Sequence, residues 1–460
     1  MFRRILIIIG YALVGLAIAA ATLALVAYGQ GYSYDFSTHR LVHKGLVMID
    51  ASPGGAIVTR PGSSWHHAVA YHGTYKPGTY TFTVSKTGYR SWSKTLTVTA
   101  GQVVDARYVV LLPQKLVNAT AAKLNGTLGT AVVSSNHQSL AVPVTTPSGV
   151  DIYIADLPGG NFIKRLSLPG ETITQLVWSA DATHLLVVSQ APTGPVDRVI
   201  SADGSVNLNL TTQYNSTFPG LKFDPTNWQQ LYWVDSTGAL RHLDLSAQAI
   251  SGVLAAGISQ FSFAGNRLIY VQATSLGQSL MAFTLGNPTQ PQQLIQALPK
   301  SPGYVLKYAN YQGQDELVVI PNSTGDALVY TGIFGSSPVS TIVARNVTSA
   351  TFSPDGHYVA LYSPSLLITY DFLLSTPTQI INYPSPNLGG SLQGLNWFDN
   401  NHLLLNINGQ TVFSDFDGTN RTIITSTLPN SLPFGALDQK SIYSLQATTT
   451  GQKLVNTSIR

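Results

Sequence analysis

The sequence predicts an all-β body carried behind one N-terminal transmembrane helix. Three observations predict it: an uncharged apolar stretch opens the chain, turn-forming residues punctuate the rest, and a hairpin pattern recurs along the last three quarters. Of the 460 residues, 44% are hydrophobic, enough to fill a core, while only 10% are charged, against about 25% in an average soluble chain. Glu occurs only at Glu171 and Glu316. Exposed helix faces are normally filled with Glu and Lys, so this scarcity argues against surface helices. With 40 Gly and 25 Pro, the body reads as short strands joined by turns.

The net charge of +4 is spread thinly, with no basic run of five or more. Nucleic-acid binders concentrate their charge, so nucleic acid is not an expected partner. The chain has no Cys, which excludes disulfides, thiolate metal sites and cysteine nucleophiles.

Residues 1–4 form a short N-terminus carrying Arg3 and Arg4, and residues 5–28 are uncharged from Ile5 to Tyr28. As a helix this segment spans about 36 Å, enough to cross a hydrocarbon core of about 30 Å. Tyr11 and Tyr28 fall near the two interfaces, and Arg3 and Arg4 place the N-terminus in the cytoplasm and the body outside. An uncleaved signal anchor is preferred over a cleaved signal peptide, because the apolar core exceeds the usual length; Ala27-Tyr28-Gly29 is the one conceivable cleavage site. Residues 29–44, with Tyr32, Tyr34 and Phe36, read as a short interfacial stalk.

Residues 45–113 read as a small antiparallel β-sandwich. Gly45 to Ser52 is a strand, Pro53-Gly54-Gly55-Ala56 breaks it, and Ile57 resumes. Pro77-Gly78 turns into the strictly alternating Tyr80-Thr81-Phe82-Thr83-Val84, and Lys86-Thr87-Gly88-Tyr89 turns again before Trp92. Ser52-Pro53-Gly54-Gly55-Ala56, then Pro77-Gly78-Thr79-Tyr80, then Lys86-Thr87-Gly88-Tyr89-Arg90-Ser91-Trp92 resemble, in order and spacing, the PEGA domain family. The Glu that gives that family its name is Gly54 here, and the family's middle loop is replaced by residues 60–67. The resemblance implies a surface or envelope β-module of a bacterial type and transfers no catalytic residue. His66, His67 and His72 are the one His cluster. No carboxylate lies between Asp50 and Asp105 to complete a metal site, so a polar loop is the expected reading.

From residue 114 to 460 an apolar strand, a polar turn and a second apolar strand recur. The copies begin near Ala131, Leu176, Leu221, Phe261, Tyr308, Ala350, Leu395 and Ala436. A spacing of about 40–46 residues is that of a four-stranded propeller blade. A strand near Lys115 to Thr120 is expected to complete the last blade and close the ring. The expected fold is therefore a seven- or eight-bladed β-propeller, eight favoured. Ser353-Pro354-Asp355-Gly356 resembles the turn of the WD40-like repeat of the TolB family, which implies fold rather than activity.

No catalytic, cofactor or metal residue is expected. Asp355 and Asp417 serve turns, Glu171 and Glu316 read as solvated hairpin residues, and no nucleophile elbow, phosphate loop or zinc motif is present. Trp65, Trp92 and the many Tyr residues could contact glycans, but burial is the expected reading for most of them; Trp178, Trp233 and Trp397 sit in strand patterns and read as core. The function expected is a membrane-anchored, non-enzymatic envelope protein whose propeller binds a protein, peptide or glycan. The alternatives are a surface hydrolase or lyase and a structural surface-layer component. Besides that partner, the lipid bilayer is expected.

Overall fold

The computed structural model describes all residues except 1, 37–38, 61–66, 125, 158–160, 276, 337, 377–378, 430 and 449–450; for 2–8 and 451 only the backbone is described. The chain divides into two compact units, 1–116 with 460, and 117–459.

In the first unit, helix α1 (Phe2–Gly29) contains the apolar span Ile9–Gly29, with a mean hydropathy of 2.3 and no burial against the body. It is long and apolar enough to cross a membrane. The expected stalk is a hairpin, β1 (Tyr32–Asp35) against β2 (Arg40–His43).

Beyond it lie β3 (Gly45–Ser52), β4 (Ile57–Thr59), β5 (His67–Ala68), β6 (Tyr71–Tyr75), β7 (Gly78–Ser85), β8 (Trp92–Val98) and β9 (Val103–Val110). One sheet has the order β6-β3-β9 and the other β5-β4-β7-β8. Val47, Ile49, Val58, Phe82, Val84, Trp92, Val98 and Ala106 fill the space between them. The expected all-antiparallel sandwich needs correction, because β3 and β9 run parallel, Leu46 beside Val103. Between them the chain crosses to the second sheet and returns. Alternation in sequence reports which face of a strand is buried but not its direction. Trp92 is 2% exposed, so it belongs to the core and not to a glycan-contacting surface; Trp65 lies outside the described residues.

The second unit contains eight antiparallel sheets among the described residues, seven with four strands and one with five. They cover residues 127–169, 172–209, 222–250, 258–298, 304–344, 349–384, 392–426, and 434–458 with 117–124, and are called the first to eighth sheets below. Each of the eight copies read in the sequence starts at or beside the first strand of its sheet. First strands of neighbouring sheets lie side by side, as 258–264 beside 304–311 and 304–311 beside 349–352, so they form the inner ring. Apolar clusters join consecutive sheets: Leu185 and Val187 pack with Ile152 and Leu168, and Val359 and Leu361 with Val318 and Val329. Trp178 and Trp397 each donate an indole N–H to an inner strand of the preceding sheet, to Val132 O at 3.0 Å and Thr351 O at 3.2 Å. Trp233 and Trp397 are buried, as expected, and Trp178 is half-buried.

The ring closes through its two ends. Strand Val117–Leu124 pairs with Gly451–Ser458, and Thr457 donates to Asn118 Oδ1 at 2.6 Å. Pairing both flanks of the last hairpin removes the exposed edge that a linear array would leave. A short helix, Leu210–Tyr214, capped by Asn209, interrupts the otherwise all-β pattern.

Both Glu expectations also need correction. Glu316 is 4% exposed. Glu171 accepts two hydrogen bonds from Arg198, at 2.7 and 2.8 Å, and one from Ser189 at 2.5 Å. Glu316 opens the continuously buried part of strand Gln314–Pro321, and Glu171 sits in the turn before Thr172–Trp178; neither position announces its burial or its partner locally.

Candidate functional site

The Ser353–Tyr358 turn shows what the repeat builds. Ser353 Oγ donates to Asp355 Oδ1 at 2.7 Å, and that oxygen also accepts the His357 N–H at 3.0 Å. Ser353 Oγ in turn accepts the Tyr358 N–H at 3.0 Å. Pro354 is exposed at the tip. Gly356 has φ +78, and a Cβ there would lie 3.2 Å from Ala309 and from Asn310 O, so glycine suits this position twice over. Asp355 is thus a turn-forming acceptor. Asp417 acts likewise, accepting from the Thr419 N–H and Oγ.

The same geometry recurs at Ser134–Ser139, where Asn136 replaces Asp, and at Ser179–His184. At the position of Gly356 these copies carry His137 (φ +56) and Ala182 (φ +61), and the last copy carries Gln439 (φ +53). Non-glycine residues at positive φ are uncommon and costly.

His137 and Gln439 line a hollow of about 410 Å³ with Pro354, Trp397–Asn401, Ala436 and Leu437. These residues come from the sixth, seventh, eighth and first sheets, each from the turn that follows the inner strand or the end of that strand, so the hollow opens at one mouth of the ring. His137 Nδ1 lies 3.1 Å from Gly435 O, linking the first sheet to the eighth. A second hollow of about 700 Å³, with Gln138, Asp156 and Asp438, shares Ala436 and Leu437. Leu437 is 60% exposed between them.

Asp399 sets the charge of the first hollow. Burial pushes its carboxyl up, but hydrogen bonds from His402 and from the Asn401 and His402 backbone outweigh this and hold it below the usual carboxylate range. His402 Nδ1 sits 2.8 Å from Asp399 Oδ1. The site thus offers one fixed carboxylate, the amides of Asn400, Asn401 and Gln439, an imidazole, and an apolar floor of Trp397 and Phe398. Such a set can orient an uncharged hydrogen-bonding ligand over an apolar surface. The sequence marks these turns as repeats but does not place them on one mouth. The available signal was the substitution of Gly356 by His137 and Gln439 at one repeat position.

The first unit is organised around the other motif. The turn Ser52-Pro53-Gly54-Gly55, with Gly55 at φ +77, carries the chain from one sheet to the other and delivers Ala56 to the core. Lys86 reaches across to donate to Gly54 O at 2.5 Å and lies 5.5 Å from the Tyr89 ring centre. Gly88, at φ +85, shapes the turn that the Tyr89 N–H closes onto Lys86 O. Pro77 and Gly78 lead into β7, where Tyr80 OH donates to Lys76 O at 3.0 Å. Residues 44–111 match the PEGA domain family. In this PEGA domain a hollow of about 220 Å³ is lined by Arg60, His67, Tyr71, Thr74 and Tyr75. His67 and His72 are both exposed, His66 lies outside the described residues, and no group of three potential metal ligands is found among the described residues.

No curated protein matches the chain. Among solved structures it is similar to the C-terminal WD40 domain of Sif2, at 12% identity and a TM-score of 0.50, over 75% of this chain and 99% of that one. It is also similar to an oligogalacturonate lyase in complex with manganese, at 13% identity and a TM-score of 0.44, over 73% and 98%. A prolyl endopeptidase follows at 9% identity and 0.46, over 72% and 54%. The likeness to the WD40 domain shows the propeller fold. At 12% identity that likeness shows the fold alone.

Proposed function

We propose that this protein is a membrane-anchored envelope protein whose propeller, held outside the cytoplasmic membrane, binds a peptide, protein or glycan partner without transforming it. The observation that carries this reading is the hollow at the propeller mouth, where four sheets contribute amides, an imidazole and a fixed carboxylate above an apolar floor. Loops gathered at the mouth of a rigid ring are a common placement for recognition. The PEGA domain then stands between the anchor and the propeller in sequence, as a spacer at the cell surface. Arg3 and Arg4 favour a cytoplasmic N-terminus, by the bias of positive residues toward that side.

The test is binding of envelope glycan and peptide libraries to the detergent-solubilised full chain, compared with Leu437→Arg and Asn400→Ala. Leu437 is exposed, so its replacement leaves folding intact while placing a bulky cation over the hollow. The expected result is retention of a defined ligand class that both variants weaken at least tenfold, with unchanged melting temperature. Retention indifferent to both variants would remove the mouth from the reading. Recovery of a cleaved ligand would replace binding with hydrolase or lyase chemistry.

A further inference from the structure

Directly after α1 the chain forms a hairpin with two unlike faces. Tyr32, Tyr34 and Phe36 alternate along β1, and Leu41 stands opposite Tyr34. These four are 39%, 47%, 81% and 70% exposed. Tyr32 stacks on His43 at 4.2 Å, and Tyr34 meets Phe36 edge-on at 5.0 Å, so the outward face is a continuous aromatic and apolar surface. The opposite face carries Ser33, Asp35 and Val42, all partly covered, with the exposed Arg40 opposite Asp35; Asp35 is ion-paired with Lys76 of the PEGA domain. The polar face therefore turns to the body and the aromatic face turns away from it.

The hairpin is also tied to the end of the helix. Gln30 N–H and Gly31 N–H continue the helical bonding to Val26 O and Tyr28 O. Lys44 N–H then returns to Gly31 O at 2.8 Å, and His43 Nε2 lies 2.8 Å from Gln30 O. Gly31 has φ +87, and a Cβ there would come within 2.8 Å of Lys44 O, so glycine permits this closure. A four-residue strand extends about 13 Å. With both ends of the hairpin pinned to the helix terminus, all of it stays within about that distance of the end of α1. The headgroup region is about 5–8 Å deep on each side, so a hairpin of this length lies along the surface for its rings to sit where aromatic rings are favoured.

We propose that this hairpin is a membrane-seated platform: its Tyr32–Tyr34–Phe36–Leu41 face lies in the headgroup layer of the bilayer that α1 crosses, and its polar face holds the PEGA domain against the surface. The proposal rests on α1 being a membrane span. Tyr28, at the end of the span and directly before the hairpin, is likewise exposed.

The absence of cysteine makes the test direct. Single-cysteine variants Leu16→Cys, Phe36→Cys, Leu41→Cys and Ser91→Cys of the full chain are nitroxide-labelled and reconstituted in vesicles of phosphatidylcholine with phosphatidylglycerol. Accessibility to oxygen is compared with accessibility to a water-soluble nickel chelate. The expected ratio is highest at residue 16, lowest at the exposed Ser91 position, and at 36 and 41 several-fold above that at 91. A residue-16 label inside the membrane with 36 and 41 as open to nickel as 91 would overturn the platform alone. A residue-16 label open to nickel would overturn the span and the platform together. Labels at 36 and 41 shielded from both reagents, with mutual spin broadening, would identify a second copy as the occupant and overturn the lipid assignment.

Discussion

Glu316 gives the sharpest stability prediction. It lies on the strand Gln314–Pro321, on the same face as Val318 and Ile320, which pack toward the sixth sheet. It is 4% exposed, and its Oε2 has no hydrogen-bond partner among the described residues. Burial is the main cause that pushes its carboxyl from the ordinary 4.5 up to about 7, opposed by a hydrogen bond from Thr331 and assisted by the neighbouring Asp315. The folded protein thus holds this proton more tightly than the unfolded chain does. Stability is undiminished below the unfolded value, falls as pH rises from about 4.5 toward 7, and levels off above it. At about 1.4 kcal/mol per unit, the loss amounts to about 3 kcal/mol by pH 8. Glu316→Gln keeps an acceptor for Thr331 and cannot ionise. It is expected to match the parent near pH 4.5 and to exceed it by about 3 kcal/mol at pH 8. Urea unfolding followed by tryptophan fluorescence across pH 4.5–8 reads the difference, from which all other titrating groups cancel. A difference independent of pH would refute the assignment of a neutral buried carboxyl.

Two further predictions concern the ring. Arg198→Met leaves Glu171 without its guanidinium in a site where both side chains are 11% exposed, and is expected to cost about 3 kcal/mol at pH 7. Burial raises the Glu171 carboxyl, but bonds from Arg198 and Ser189 hold it below its ordinary value, so the pair's contribution is present above about 4.5 and lost as pH falls through the folded value. The penalty in urea midpoint should therefore shrink at acid pH. Ending the chain before Gly451 removes the partner of both Val117–Leu124 and Ser441–Thr448. Limited proteolysis should then cut the eighth sheet first, while the full chain resists.

Much of the fold was legible because it rests on periodicity. The eight turns, the Lys86-Thr87-Gly88-Tyr89 motif and the apolar N-terminus are local patterns whose physical causes act over a few residues. What escaped depends on partners far apart in sequence. The parallel pairing of β3 with β9 and the pairing of Glu171 with Arg198 are such cases. Neither leaves a local signature, since each strand alternates as it would in any sheet. The stalk hairpin was not legible, because its closure depends on Gly31 meeting Lys44 rather than on any strong turn signal in the stalk. The mouth was half legible: its turns could be read, but their convergence follows only once the inner strands form a ring.

The binding proposed at the mouth also offers a way to tell tolerated strain from strain that serves it. Ala182, His137 and Gln439 occupy the left-handed position that Gly356 fills without cost, at about 1 kcal/mol each. Ala182 is 7% exposed and lines neither mouth hollow, whereas Gln439 lines the one that also holds Asp399. Glycine at either position relieves the strain, so Ala182→Gly and Gln439→Gly should both raise thermal stability, by up to about 1 kcal/mol. Their effects on ligand retention should diverge, with Ala182→Gly leaving it unchanged and Gln439→Gly weakening it severalfold. His137→Gly is the less clean comparison, because it also removes the contact with Gly435 O. Equal retention in the two glycine variants would mean that Gln439 is strained without purpose, and the hollow would lose the feature that distinguishes its turns from the rest of the ring.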